Sequence, residues 1–209
     1  YGLSETIAAT HANPPHACKP QCLGVPFIGV DSRVIDVDTL KEVESGVTGE
    51  IIMRGEQIFQ GYWNRPDATE EAFVEVDGER FFRSGDLGYY DEEGYFFLVD
   101  RVKRMINASG FKVWPAEVES LMYAHPAIQE VCIISVPHER RGETVKAVVV
   151  LGAGKQDTTE QDIINWCQEN MAAYKCPQIV SFADSIPKSP TGKIMWRHLQ
   201  DIEWGRAEA

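Results

Sequence analysis

No apolar run in this 209-residue chain approaches the ~20 residues that a membrane helix needs, so an integral membrane segment is not expected. The five cysteines, Cys18, Cys22, Cys132, Cys167 and Cys176, are odd in number and unevenly scattered. That excludes the paired framework of a small secreted domain and makes a reducing, cytoplasmic setting the default. Basic residues are in deficit: 20 Lys and Arg stand against 32 Asp and Glu, a net charge of −12. A surface for nucleic acid or anionic lipid is therefore not expected. The chain lacks a signal-peptide pattern and opens on Tyr1 rather than Met, and we expect upstream sequence to precede it. A Walker phosphate loop is missing too. Thr191-Gly192-Lys193 superficially suggests one, but no Gly lies five residues before Gly192, and Ile194 follows Lys193 where Ser or Thr is required.

What remains is an ordinary soluble composition, 44% apolar and 25% charged, long enough for one large domain or two small ones. After an irregular start punctuated by Asn13-Pro14-Pro15 and Gly24-Val25-Pro26, residues 30–99 have β texture. Strands are expected at 30–37, 49–54 and 95–99, with acidic Gly-containing turns at 75–78 and 91–94 and a short helix at 66–73. Beyond Asp100 the pattern changes. Helices are expected at 115–124, from Thr158 or Thr159 to about Met171, and at 194–204, with strands at 131–136, 145–151 and 178–182. The fold class is α+β: a β-rich, distorted barrel-like part over residues 1–99, then a small α+β domain with a helix-covered sheet over residues 100–209.

Several short segments carry chemistry. Tyr1-Gly2-Leu3-Ser4-Glu5 gathers a ring that could stack on adenine and a Gly that permits close backbone approach. It adds a hydroxyl for a phosphate oxygen and a hard carboxylate for Mg²⁺. The plainer alternative is a loop with a capping Ser. Asp86, after Ser84-Gly85, reads as a turn carboxylate able to accept two vicinal hydroxyls, as on a ribose, or simply to cap the next segment. Arg101, just past the 95–99 strand, offers a fixed fork of donors for a ribose or phosphate, or an ordinary ion pair with Asp100. His11-x4-His16-x-Cys18-x3-Cys22 has zinc-ligand types, but the spacing fits no common structural zinc pattern. In Gly61-Tyr62-Trp63 the two aromatics are expected in the core.

Taken in order, Tyr1 to Thr6, Gly49-Glu50 through Pro66, Ser84-Gly85-Asp86 with Asp100-Arg101, Ser109-Gly110-Phe111, and Pro187 to Lys193 resemble the adenylate-forming (AMP-binding) enzymes, across essentially the whole chain. The resemblance implies an acyl-CoA synthetase that activates a carboxylate with ATP and Mg²⁺ and transfers the acyl group to CoA. Ser4 stands where Thr is commoner in the family and keeps the hydroxyl. The resemblance gives Tyr1, Gly2, Ser4, Asp86 and Arg101 to the nucleotide and Glu5 to Mg²⁺. It makes Asp100 the hinge and Gly110 the small residue past which the CoA arm runs. Lys193 becomes the catalytic cation on the substrate carboxylate and α-phosphate. Asn107 replaces a Lys found in luciferases, which disfavours that branch.

The run from Tyr1 to Pro15 looks most like fatty-acid–CoA ligases, so a medium- or long-chain acid is expected, with 11–22 lining the acyl pocket. An aromatic-acid ligase, a peptide-synthetase adenylation domain and a non-enzymatic nucleotide- or CoA-binding module are the competing readings. The family's Ser/Thr/Gly-rich phosphate loop is absent. The chain is therefore expected to be a C-terminal portion, not competent for adenylation alone. The partners implied are ATP, a fatty acid and CoA, with no nucleic acid; a homodimer of the full enzyme is left open.

Overall fold

The computed structural model describes residues 1–140 and 142–206, and the chain is α+β. It forms two compact units, Tyr1–Lys103 and Arg104–Ala209.

The first unit opens with a 3-10 turn at Ser4–Thr6 and a two-stranded ribbon, β1 (His11–Ala12) with β2 (Val25–Pro26). Its main sheet runs β3 (Asp31–Ile35), β4 (Gly49–Arg54), β6 (Glu79–Tyr90), β5 (Phe73–Val76), with β7 (Phe96–Arg101) also on β6; all the pairs are antiparallel. Alternation sorts the side chains. Val34, Ile51, Met53 and Phe82 enter one apolar cluster, while Ile35, Ile52 and Phe81 enter another. Helix α1 (Pro66–Glu71) begins with its Pro in the first turn, where the missing N–H costs nothing.

Two expectations fail here. Ser84-Gly85-Asp86 is not a turn: it lies inside the 12-residue strand β6. Opposite β4, Glu50 pairs with Leu87 and Ile52 with Arg83, so three residues of β6 face Ile51 alone. The segment is a bulge of three residues against one, with Gly85 at φ +70°, a left-handed value that a side chain would strain. Nor do Tyr62 and Trp63 form core. Trp63 is 90% exposed, and Tyr62, half-exposed, packs its ring on Phe59 while its hydroxyl turns to Glu5.

The second unit is built on β10 (Ile128–His138), β11 (Gly142–Leu151), β8 (Ile106–Ala108) and β9 (Phe111–Val113), with β12 (Ile179–Phe182) parallel to β11. Val131 and Ile133 meet Val118 and Met122 of α2 (Pro115–Met122) and Ile163 and Cys167 of α3 (Glu160–Asn170) on one face. Cys132, Ile134 and Val136 meet Trp196 and Leu199 of α4 (Trp196–Glu203) on the other. Helices thus cover both faces of the sheet. Helix α3 starts in a capping box, Thr159 Oγ1 accepting from the Asp162 N–H and the Asp162 carboxylate accepting from the Thr159 N–H. No helix of the described residues is long and apolar enough to cross a membrane.

Candidate nucleotide and acyl-transfer site

In the first unit, β6 and β7 place Asp86 directly opposite Arg101, and the N-terminal segment brings Tyr1 against both. Asp86 is 2% exposed. The Tyr1 hydroxyl donates to Asp86 Oδ2 at 2.6 Å. Arg101 Nε lies 2.9 Å from Oδ1, yet its N–H is not aimed along that line and Oδ1 accepts no hydrogen bond. A buried carboxylate oxygen without a donor is costly. Burial accordingly pushes the Asp86 carboxyl above the usual carboxylate range, with the Tyr1 hydrogen bond and then the Arg101 charge opposing it. The Tyr1 phenol is raised chiefly by burial and then by the Asp86 charge. The arrangement is a polar dead end with spare acceptor capacity: one lone pair on Oδ2 and the whole of Oδ1 can still accept hydrogen bonds.

The bulge that aims Asp86 has its own support. Glu50, 1% exposed, accepts from Gly85 N at 3.1 Å and from Arg83 Nη2 and Nε at 2.6 and 3.0 Å. Ser84 Oγ accepts from the Asp86 N–H at 3.0 Å and donates to the Ile51 carbonyl. Sequence reasoning alone gives Glu50 no part in the site. A carboxylate inside the apolar strand Gly49–Arg54 is the signal that could have found it.

Around the 3-10 turn, Thr6 is fully buried and its hydroxyl accepts from the Leu3 N–H, leaving Ser4 exposed. Gly2 bridges Ala9, so the close approach it permits is to its own chain. Glu5 Oε1 accepts from the Tyr62 hydroxyl at 2.8 Å; burial and then this carboxylate raise the Tyr62 phenol. No group of three or more His, Cys, Asp or Glu able to hold a metal is present among the described residues. A single half-buried carboxylate still suits Mg²⁺, which is commonly bound through one or two carboxylates plus phosphates and water. The zinc pattern does not assemble. His11 is buried, with Nδ1 on Thr10 Oγ1 and Nε2 on Ser32 Oγ, and Cys18 Sγ rests on the Pro14 carbonyl. Burial lowers the His11 pKa to about 4.

In the second unit, Ser109 (φ +59°) and Gly110 (φ +87°) turn the β8–β9 hairpin. Asn107 Oδ1 accepts from the Gly110 N–H at 2.9 Å, and the Asn107 N–H donates to Glu143 at 2.6 Å. The space where a Gly110 side chain would go is open to beyond 4 Å. Lys193 sits on a tight turn closed by Ser189 N–H to the Lys193 carbonyl at 2.8 Å and by Gly192 N–H to the Ser189 carbonyl at 2.8 Å. Its neighbour Lys188 pairs with Glu130 at 2.7 Å, whereas the Lys193 ammonium is exposed and has no ion-pair partner among the described residues. Asp100 is 7% exposed near the end of β7, and its carboxylate accepts from the Arg101 N–H at 2.7 Å.

Residues 1–63 match the family described as AMP-binding enzyme, and residues 117–193 match the AMP-binding enzyme C-terminal domain. A 4-coumarate–CoA ligase 1 of Glycine max is 36% identical over 96% of this chain and 69% of its own length. The chain belongs to the adenylate-forming, AMP-binding enzyme family of acid–CoA ligases. A long-chain-fatty-acid–CoA ligase of Bacillus subtilis (strain 168) is 43% identical over 97% of the chain, which spans 36% of that protein's length. The crystal structure of ATP-bound MatB from Rhodopseudomonas palustris superposes with a TM-score of 0.87 at 35% identity, over 99% of this chain and 41% of that one.

Proposed function

We propose that this chain supplies the ribose-binding edge and the mobile C-terminal domain of a cytoplasmic acyl-CoA synthetase acting on a medium- or long-chain fatty acid. A carboxylate oxygen of the acid attacks the α-phosphorus of ATP, the bond to the β-phosphate oxygen breaks, and pyrophosphate leaves. The sulfur of CoA then loses its proton, attacks the acyl carbon of the adenylate, and AMP leaves.

The observation that carries this reading is the buried Asp86 carboxylate, with one oxygen bonded to Tyr1 and the other without a hydrogen bond. Two vicinal ribose hydroxyls would supply the missing donors. Arg101, largely exposed over it, would turn its other guanidinium nitrogens to the ribose or phosphate, and the Tyr1 ring, fixed through its hydroxyl, would offer a face to adenine. Ser4 would donate to a phosphate oxygen and Glu5 would hold Mg²⁺, which when bound neutralises phosphate charge. The exposed Lys193 ammonium suits the charge spreading over the α-phosphorus. Rotation about Asp100 would then exchange Lys193 for the open Gly110 turn, past which the CoA arm runs.

The fatty-acid reading draws support from the Bacillus subtilis relative. The 4-coumarate–CoA ligase of Glycine max favours a second reading, an aromatic acid. Thioester formation by the full-length polypeptide, with acids from butyrate to oleate set against 4-coumarate, tests the choice. Product rising with chain length is expected; product from the aromatic acid alone would overturn the fatty-acid reading.

A further inference from the structure

We propose that Glu50 is a positioning residue for nucleotide binding. Its buried carboxylate holds the β6 bulge in the one shape that turns Asp86 toward the ribose hydroxyls. The proposal rests on reading Asp86 as the ribose acceptor.

On a regular strand, alternation would give Ser84 and Asp86 the same face and Gly85 the other. The bulge breaks that rule by setting Ser84, Gly85 and Asp86 against Ile51 alone, which leaves backbone groups without a ladder partner. Each must be satisfied otherwise or the strand will slip back into register. The Asp86 N–H is held locally by Ser84 Oγ. The Gly85 N–H is held by nothing on its own strand, and its acceptor is Glu50 Oε1 from the neighbouring strand. The other oxygen of Glu50 is clamped by two nitrogens of Arg83, the residue that enters the bulge. One carboxylate therefore ties both the approach and the apex of the bulge to β4. A carboxylate suits the task because both oxygens are acceptors, and the three N–H groups facing it need acceptors only. Glutamine has the same shape but would set its NH₂ against either the Arg83 guanidinium or the Gly85 N–H.

The test separates this role from general stability by asking about the ribose hydroxyls alone. Binding of AMP and of 2′,3′-dideoxy-AMP to the full-length polypeptide is measured by calorimetry at pH 7. The wild type should prefer AMP by about tenfold or more, as charge-assisted hydrogen bonds to hydroxyls imply. Glu50→Gln should weaken AMP several-fold, leave the dideoxy nucleotide within about twofold, and so shrink the preference below about threefold. Replacing the opposing cation as well, in Glu50→Gln/Arg83→Gln, removes the donor conflict, lets the introduced amide oxygen accept from the Gly85 N–H, and should restore most of the preference. If the single variant does not fold, the folded double variant decides: a preference near the wild-type value supports the role, and its loss overturns it. An unchanged preference in Glu50→Gln refutes the positioning role while leaving the Asp86 reading intact. A wild type indifferent to the hydroxyls refutes the Asp86 reading and this inference with it.

Discussion

Replacing Asp86 with Asn should move stability and binding in opposite directions. In the folded protein the Asp86 carboxyl is held above its ordinary pKa by burial. A raised carboxyl contributes its stability fully below the unfolded value of 3.8 and loses it as pH rises through the folded value. At pH 7 the ionised group is therefore a net cost to folding. Asn keeps the shape and an acceptor for the Tyr1 hydroxyl and removes that cost, but forfeits an ion pair with the exposed Arg101, a contact of the order of 0–1 kcal/mol. Net stability at pH 7 should rise by about 0–1 kcal/mol, up to ~3 °C in Tm, and any gain should vanish below about pH 4. Binding should fall. A hydroxyl on a carboxylate gains about 1–1.5 kcal/mol more than on a neutral amide. Two hydroxyls then make about 2–3 kcal/mol, or roughly 30- to 150-fold in AMP affinity. Thermal melts at pH 7 and pH 4 beside AMP calorimetry on the full-length protein test both halves. A clear drop in Tm at pH 7, or an AMP affinity within about threefold of wild type, would refute the reasoning.

Two further outcomes follow from the same physics. His11 is buried neutral with a pKa near 4 against an ordinary 6.5. Its stability is present above pH 6.5 and is lost as pH falls to about 4, to the extent of about 3 kcal/mol. Urea unfolding should show that loss, and His11→Gln should flatten the slope in this window whatever it does to stability at pH 7. Thr159→Ala removes the cap of α3 and should cost about 1 kcal/mol, or ~2–4 °C in Tm, read by thermal denaturation.

Much of the fold was legible because local rules and the packed structure agree. The strand at 49–54 and the Thr159–Asp162 cap each show their signal within a few residues. From the sequence Arg101 has Asp100 as its ion-pair candidate, whereas the structure sets it in register with Asp86 across a short hairpin. The bulge was not legible. Ser84-Gly85-Asp86 has turn composition, and within the strand its Gly85 N–H donates to a carboxylate 35 residues away. Trp63 misled for a related reason: hydrophobicity says that a ring can be buried, not that a neighbour exists to bury it. The contact of Tyr1 with Asp86, 85 residues apart, is likewise a product of packing that no local pattern encodes.

The central claim is that Lys193 and Gly110, both beyond the proposed Asp100 pivot, serve different half-reactions. In the full-length polypeptide, Lys193→Ala should slow acyl-adenylate formation by about 100-fold or more. It should leave thioester formation from supplied acyl-adenylate within about threefold. Gly110→Leu should do the reverse, with Gly110→Ala reporting how much of the effect is strain at φ +87° rather than bulk. If both substitutions damage the same half-reaction, the pivot account is wrong.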